Sequence, residues 1–116
     1  MEPGPRERYE DICDALTAWH PDVRRSTIFG MPCLKRGRRV VCGFPRGEEA
    51  MVFRLLEPEA HTRALALPGA HLFDPSGRGE PFRAWVVVPA GHADAWEGLA
   101  HAAVTQELDL PPTPAA

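Results

Sequence analysis

The chain has 116 residues, 44% hydrophobic and 25% charged, with a net charge of −3 and three cysteines. That length fits one domain of roughly 100–200 residues, expected to span the whole chain with a core over about residues 6–107, and it can bury one core without staples. The acidic balance lacks the basic excess of a protein that lives on the phosphate backbone, the odd cysteine count does not close a disulfide framework, and no apolar stretch approaches the ~20 residues of a membrane span.

In chain order, residues 1–5 are proline-rich and expected to fray. They carry no apolar segment of a secretion signal, so the expected location is cytoplasmic. Residues 6–18 predict a helix: Tyr9, Ile12, Cys13 and Leu16 recur at i, i+3, i+4, i+7, Trp19 extends the stripe, and His20-Pro21 ends it. Glu7, Glu10, Asp11 and Asp14 make its solvated face.

Three strands follow in the prediction, over residues 28–34, 40–44 and 51–56. Arg36-Gly37 sits where a two-residue hairpin turn belongs, because glycine accepts positive φ cheaply. Pro32 marks the first run as an edge strand or a bulge. Pairing Lys35 with Arg38 puts Met31, Cys33, Val40 and Cys42 on one face. Cys33 and Cys42 are then diagonal neighbours, a poor geometry for a disulfide.

Pro58 opens a second helix that Pro68-Gly69 closes. Residues 71–73 form a short strand, Asp74-Pro75-Ser76-Gly77-Arg78-Gly79 a turn-rich loop, and residues 83–88 a β-branched, aromatic strand. A third helix after Pro89-Ala90-Gly91 carries the stripe Trp96, Leu99, Ala100, Ala103 and Val104. The expected fold is α+β, in the order α-β(3)-α-β(2)-α, with an antiparallel sheet packed with helices.

No run supplies a nucleophile–base pair, a phosphate loop or paired carboxylates. Cys33 lies beside Lys35, which lowers a thiol pKa, but no histidine stands at an interpretable spacing to serve as its base. His92, Asp94 and His101 are badly spaced for one helical metal site, since nine residues turn a side chain to the opposite face. Expected cofactors are none. Two surfaces remain. Lys35, Arg36, Arg38 and Arg39 on the hairpin, with Arg24, Arg25 and Arg46 nearby, make a candidate nucleic-acid ribbon without interleaved aromatics for stacking. Arg83 and Trp85, two apart on one strand, share a face as a candidate cation–π pair. With Arg78 they could line a pocket for an anion or a partner's carboxylate.

Phe29-Gly30-Met31-Pro32-Cys33-Leu34-Lys35, Leu67-Pro68-Gly69-Ala70, Phe73-Asp74-Pro75, Trp85-Val86-Val87-Val88-Pro89 and His92-Ala93-Asp94-Ala95-Trp96 together resemble the TfoX/Sxy N-terminal-domain family. The likeness runs over residues 9–104. It implies an α-β(3)-α-β(2)-α fold similar to type III secretion chaperones. It also implies a non-enzymatic regulatory role, since the namesakes regulate competence for DNA uptake. Those proteins carry a second helical domain, which is not expected here because the sequence stops soon after the third helix. The MmcQ/YjbR family, often labelled DNA-binding, is similar in size and sheet character and matches fewer of these motifs. The resemblance carries no catalytic residues. A protein partner or self-association is the first expectation, with nucleic acid and a small ligand as alternatives and no membrane.

Overall fold

The computed structural model describes residues 4–45, 47 and 49–106. Arg46, which the sequence groups with the basic hairpin, lies outside them, as do Glu48 and residues 1–3 and 107–116. The elements are helix α1 (Pro5–Trp19), strands β1 (Val23–Ile28), β2 (Met31–Arg36), β3 (Arg39–Gly43) and β4 (Ala50–Arg54), helix α2 (Pro58–Leu65), strands β5 (His71–Phe73) and β6 (Phe82–Pro89), a 3-10 turn (Ala90–Ala95) and helix α3 (Trp96–Thr105). The fold is α+β, one antiparallel sheet packed with helices. Its strand order is β1-β2-β3-β4-β6-β5.

Helices α1 and α2 begin where the sequence satisfies exposed amide groups. Glu7 Oε1 accepts from Gly4 N at 2.9 Å ahead of Pro5. The Glu57 carboxylate accepts from Ala60 N at 3.0 Å ahead of Pro58. Both carboxylates occupy the helix end that favours negative charge. The stripe Tyr9, Ile12, Cys13 and Leu16 is buried as its spacing predicts. Trp19 leaves that stripe and is 75% exposed.

The first strand run differs from the expectation. It holds four strands, because residues 28–34 are split by a turn at Phe29-Gly30. Both residues have positive φ, 54° and 75°, the geometry of a tight type I′ hairpin. An aromatic residue does not announce that turn, which is why the sequence reads through it. Pro32 accordingly stands on β2, an interior strand, as its second residue. The ladder to β3 begins one residue later, at Cys33↔Gly43, and Pro32 O still accepts from Phe44 N at 3.0 Å, so the missing proline N–H falls at the margin of the β2–β3 pairing.

The second hairpin is also shifted by one residue. Arg36 pairs with Arg39 around Gly37-Arg38, because the positive φ (63°) of Gly37 belongs at the first central position. A bulge between Leu34 and Lys35 leaves Val41 without a partner. Cys42 is therefore opposite Leu34 and faces the helices, away from the Cys33 face.

The sheet separates two cores. The larger joins all three helices to Leu34, Met51, Phe53, Val86 and Val88. The smaller, on the other face, is made by strands alone: Met31, Ala50, Val52, Phe73 and Val87, with Ile28 and Trp85 against them. No helix covers that face, yet Val52 and Val87 are buried. The sheet coils until opposite margins meet. Phe29, between β1 and β2, packs on Phe73, Phe82 and Trp85 of β5 and β6, with ring centroids 5.7–6.4 Å apart. Accumulated strand twist makes such a crossing possible. Among the described residues no helix is long and apolar enough to cross a membrane.

Candidate functional site

Among the described residues, the six strands carry seven cations and no Asp or Glu. In an antiparallel sheet, alternate strands start and finish at the same end. Arg24 and Arg25 open β1, Lys35 and Arg36 close β2, Arg39 opens β3, Arg54 closes β4 and Arg83 opens β6. All seven therefore gather at one end of the sheet, with Arg38 in the adjoining turn. Glu7, Glu10, Asp11, Asp14, Asp94 and Glu97 belong to the helical side, while Asp22, Glu57 and Glu80 flank the cation-bearing end in the loops outside the strands. The net charge of −3 conceals this separation.

Alternation of side chains divides five of these cations into two sets. Arg25 and Arg36 face the helices and serve the fold. Arg25 contacts Glu10 and Asp14 at 2.7 Å each. Arg36 contacts Asp22 at 2.7 Å and donates to Val104 O at 2.8 Å, tying β2 to the last turn of α3. The Arg36 guanidinium holds the Asp22 carboxyl below the usual carboxylate range.

Arg24, Lys35 and Arg54 lie on the other face. None of them forms an ion pair with a described carboxylate. Arg24 donates to Gly37 O at 3.1 Å and is the direct cross-strand partner of Lys35. Like charges so placed repel, at a cost of roughly 0.2–1 kcal/mol. Arg54 is half-buried and directly opposite Trp85. Burial, and then the nearby charge of Arg39, pull its pKa below the ordinary arginine value. Its backbone is fixed by Gln106 at the end of α3. The Gln106 amide donates to Arg54 O at 2.6 Å and its Oε1 accepts from Leu56 N at 2.7 Å. The sequence reading missed Arg54, because only the strand topology brings it near Arg39.

An aromatic cluster adjoins Arg54. Trp85 stacks on Phe73 at 5.8 Å with a 12° interplanar angle, and Phe82 meets Trp85 edge-on at 5.3 Å. Phe29 (56% exposed) and Phe82 (37% exposed) present ring surface to solvent. Phe29 does so from positive φ, a conformation that bulky residues rarely adopt.

The structure separates the members of the expected small-ligand pocket. Arg83 lines an open cleft of about 600 Å3 with His61, Leu72, Gly79, Glu80 and Pro81. Trp85 belongs to the aromatic cluster instead. The cation–π contact recorded among the described residues is Arg6 over Phe44, at 5.7 Å, rather than Arg83 over Trp85. Arg78 sits in the loop organised by Asp74, whose carboxylate accepts from Gly79 N at 2.8 Å and Gly77 N at 3.1 Å. Desolvation opposes the effect, but these bonds hold the Asp74 carboxyl below its ordinary value.

The histidines are dispersed. His92 Nε2 donates to Pro68 O at 2.9 Å, and the ring of His101 lies 6.3 Å from that of His20. Among the described residues no group of three or more His, Cys, Asp or Glu is arranged to hold a metal ion.

Cys13, Cys33 and Cys42 are buried and unpaired. Burial pushes the Cys33 thiol up, and the opposing charge of Lys35 does not reverse the shift. Burial raises Cys13 and Cys42 as well. A thiol-reactive disulfide reagent is expected to modify all three at least about a hundredfold more slowly in native buffer than in denaturant. Rapid native reaction at Cys33 would show that it is not sealed.

No family model, curated protein or solved structure matches the chain.

Proposed function

We propose that this chain is a non-enzymatic interaction module that engages an anionic partner through the cation-bearing end of its sheet. The observation that carries this reading is the segregation of charge: seven strand cations at one end, with no acidic residue in any described strand. A field of one sign on one surface raises the local concentration of opposite charge, whatever the net charge of the molecule. A regulatory module is also what the resemblance to the TfoX N-terminal domain implies. Three unpaired thiols suit the reducing cytoplasm. Self-association by pairing of the β1 edge is less favoured, because Arg24 and Arg25 stand on that edge and such charges blunt strand addition.

Retention on immobilised heparin across a salt gradient tests the reading. The wild-type chain is expected to bind at low ionic strength and to elute earlier when Lys35→Glu and Arg54→Glu are combined. Arg63→Glu on exposed α2, whose charge change equals that of Lys35→Glu alone, should elute later than that single variant. No retention of the wild type, or equal loss in the Arg63 variant, would refute a localised site.

A further inference from the structure

We infer that the anionic partner is a single-stranded nucleic acid, with phosphates against Arg24, Lys35 and Arg54 and bases stacked on Phe29, Phe82 and Trp85. This inference rests on the anionic-partner reading above and names the partner's class.

Three features favour that class. First, a cation and exposed rings adjoin on the face that also carries Arg24 and Lys35: Arg54 is directly opposite Trp85, and Phe29 and Phe82 lie against the same indole. An acidic peptide would neutralise the cations and leave the ring faces without a matching group. A nucleotide chain supplies both a charge and a flat π-face at every repeat. Second, the cations are spread over β1, β2 and β4. With strands about 4.8 Å apart, they span roughly 15 Å of the sheet face, which suits a polymer laid across the strands better than one small anion. Third, Phe29 stands at a positive-φ turn position where asparagine is the favoured residue, and more than half of its surface faces solvent. Duplex DNA keeps its bases stacked inside, so exposed platforms of this kind select unpaired strands.

Fluorescence anisotropy on the full chain tests the inference. The probes are a labelled oligothymidylate of about twelve nucleotides, an abasic strand of equal length, the corresponding duplex, and polyglutamate. The oligothymidylate is expected to bind at least about tenfold more tightly than the abasic strand, as stacking of one or two bases supplies, and to weaken steeply with salt. Phe29→Asn, which suits the turn, should abolish most of that preference while thermal unfolding shows the fold intact. Lys35→Gln should weaken all polyanions together. Equal binding of oligothymidylate and abasic strand would overturn the nucleic-acid inference and leave the anionic-partner reading standing. Tighter binding of polyglutamate or duplex than of oligothymidylate would do the same. Binding of none of these probes at low salt would remove both.

Discussion

Trp96→Ala is expected to lower the free energy of unfolding by about 3–5 kcal/mol, measured by urea denaturation followed with circular dichroism. Trp96 is the first residue of α3 and has no solvent exposure. Its ring fills the larger core between helices and sheet, and its Nε1 donates to Val88 O at 3.1 Å. Truncation leaves a cavity and also strands a buried carbonyl. Because domains are stable by only about 5–15 kcal/mol, the variant should be partly unfolded at physiological temperature. Trp96→Phe separates the two contributions. It keeps most of the apolar volume and removes the indole donor, so about 1–3 kcal/mol is expected from the unsatisfied carbonyl and residual packing. An alanine variant within 1 kcal/mol of wild type would mean that the core relaxes around the gap (the cost of truncation depends on how far the site can collapse).

Gly43→Ala should be destabilising by about 1–3 kcal/mol, although removing a glycine from a strand ordinarily helps. The reason is space rather than backbone conformation. A methyl group on Gly43 would meet Met31 Cε at 3.0 Å, Pro32 O at 3.1 Å and Cys33 Cβ at 3.4 Å. The Met31 end can swing aside. The Pro32 carbonyl cannot, because it holds Phe44 N at 3.0 Å. Met31→Ala, costly by itself because Met31 is buried in the smaller core, should cost less in the Gly43→Ala background than alone, so that the two effects do not add. A neutral or stabilising Gly43→Ala would show that β2 and β3 can separate at their Cys33 end without penalty.

Much of the fold is legible in the residues themselves. The helical stripe from Tyr9 to Leu16, the opening of α2 at Pro58 and the β-branched run into Val88 each follow from local periodicity or capping. What failed to read was backbone geometry carried by an uninformative side chain. Phe29 turns the chain with positive φ but looks like strand, so β1 and β2 merge into one. The same limit hid the candidate site. Arg24, Lys35 and Arg39 are near neighbours in sequence, and their association can be guessed. Arg54 and the Phe29–Trp85 contact depend on strand order and on how far the sheet coils, and no short window of sequence contains either.

That coiling has a consequence in time. The rings that seal the smaller core come from residues more than forty positions apart in the chain. A long intervening segment must be ordered before they can meet. They are held by exposed ring contacts at the margin, whereas the helices are anchored by the larger core. The Phe29 turn is therefore the natural place for a sub-global opening that exposes Met31 and Val52 while the helices stay docked. Amides at the Phe29 end of the β1–β2 hairpin should exchange with solvent faster than those of α1 and α3, and part of the surface that meets a partner would also be the part of the molecule that breathes.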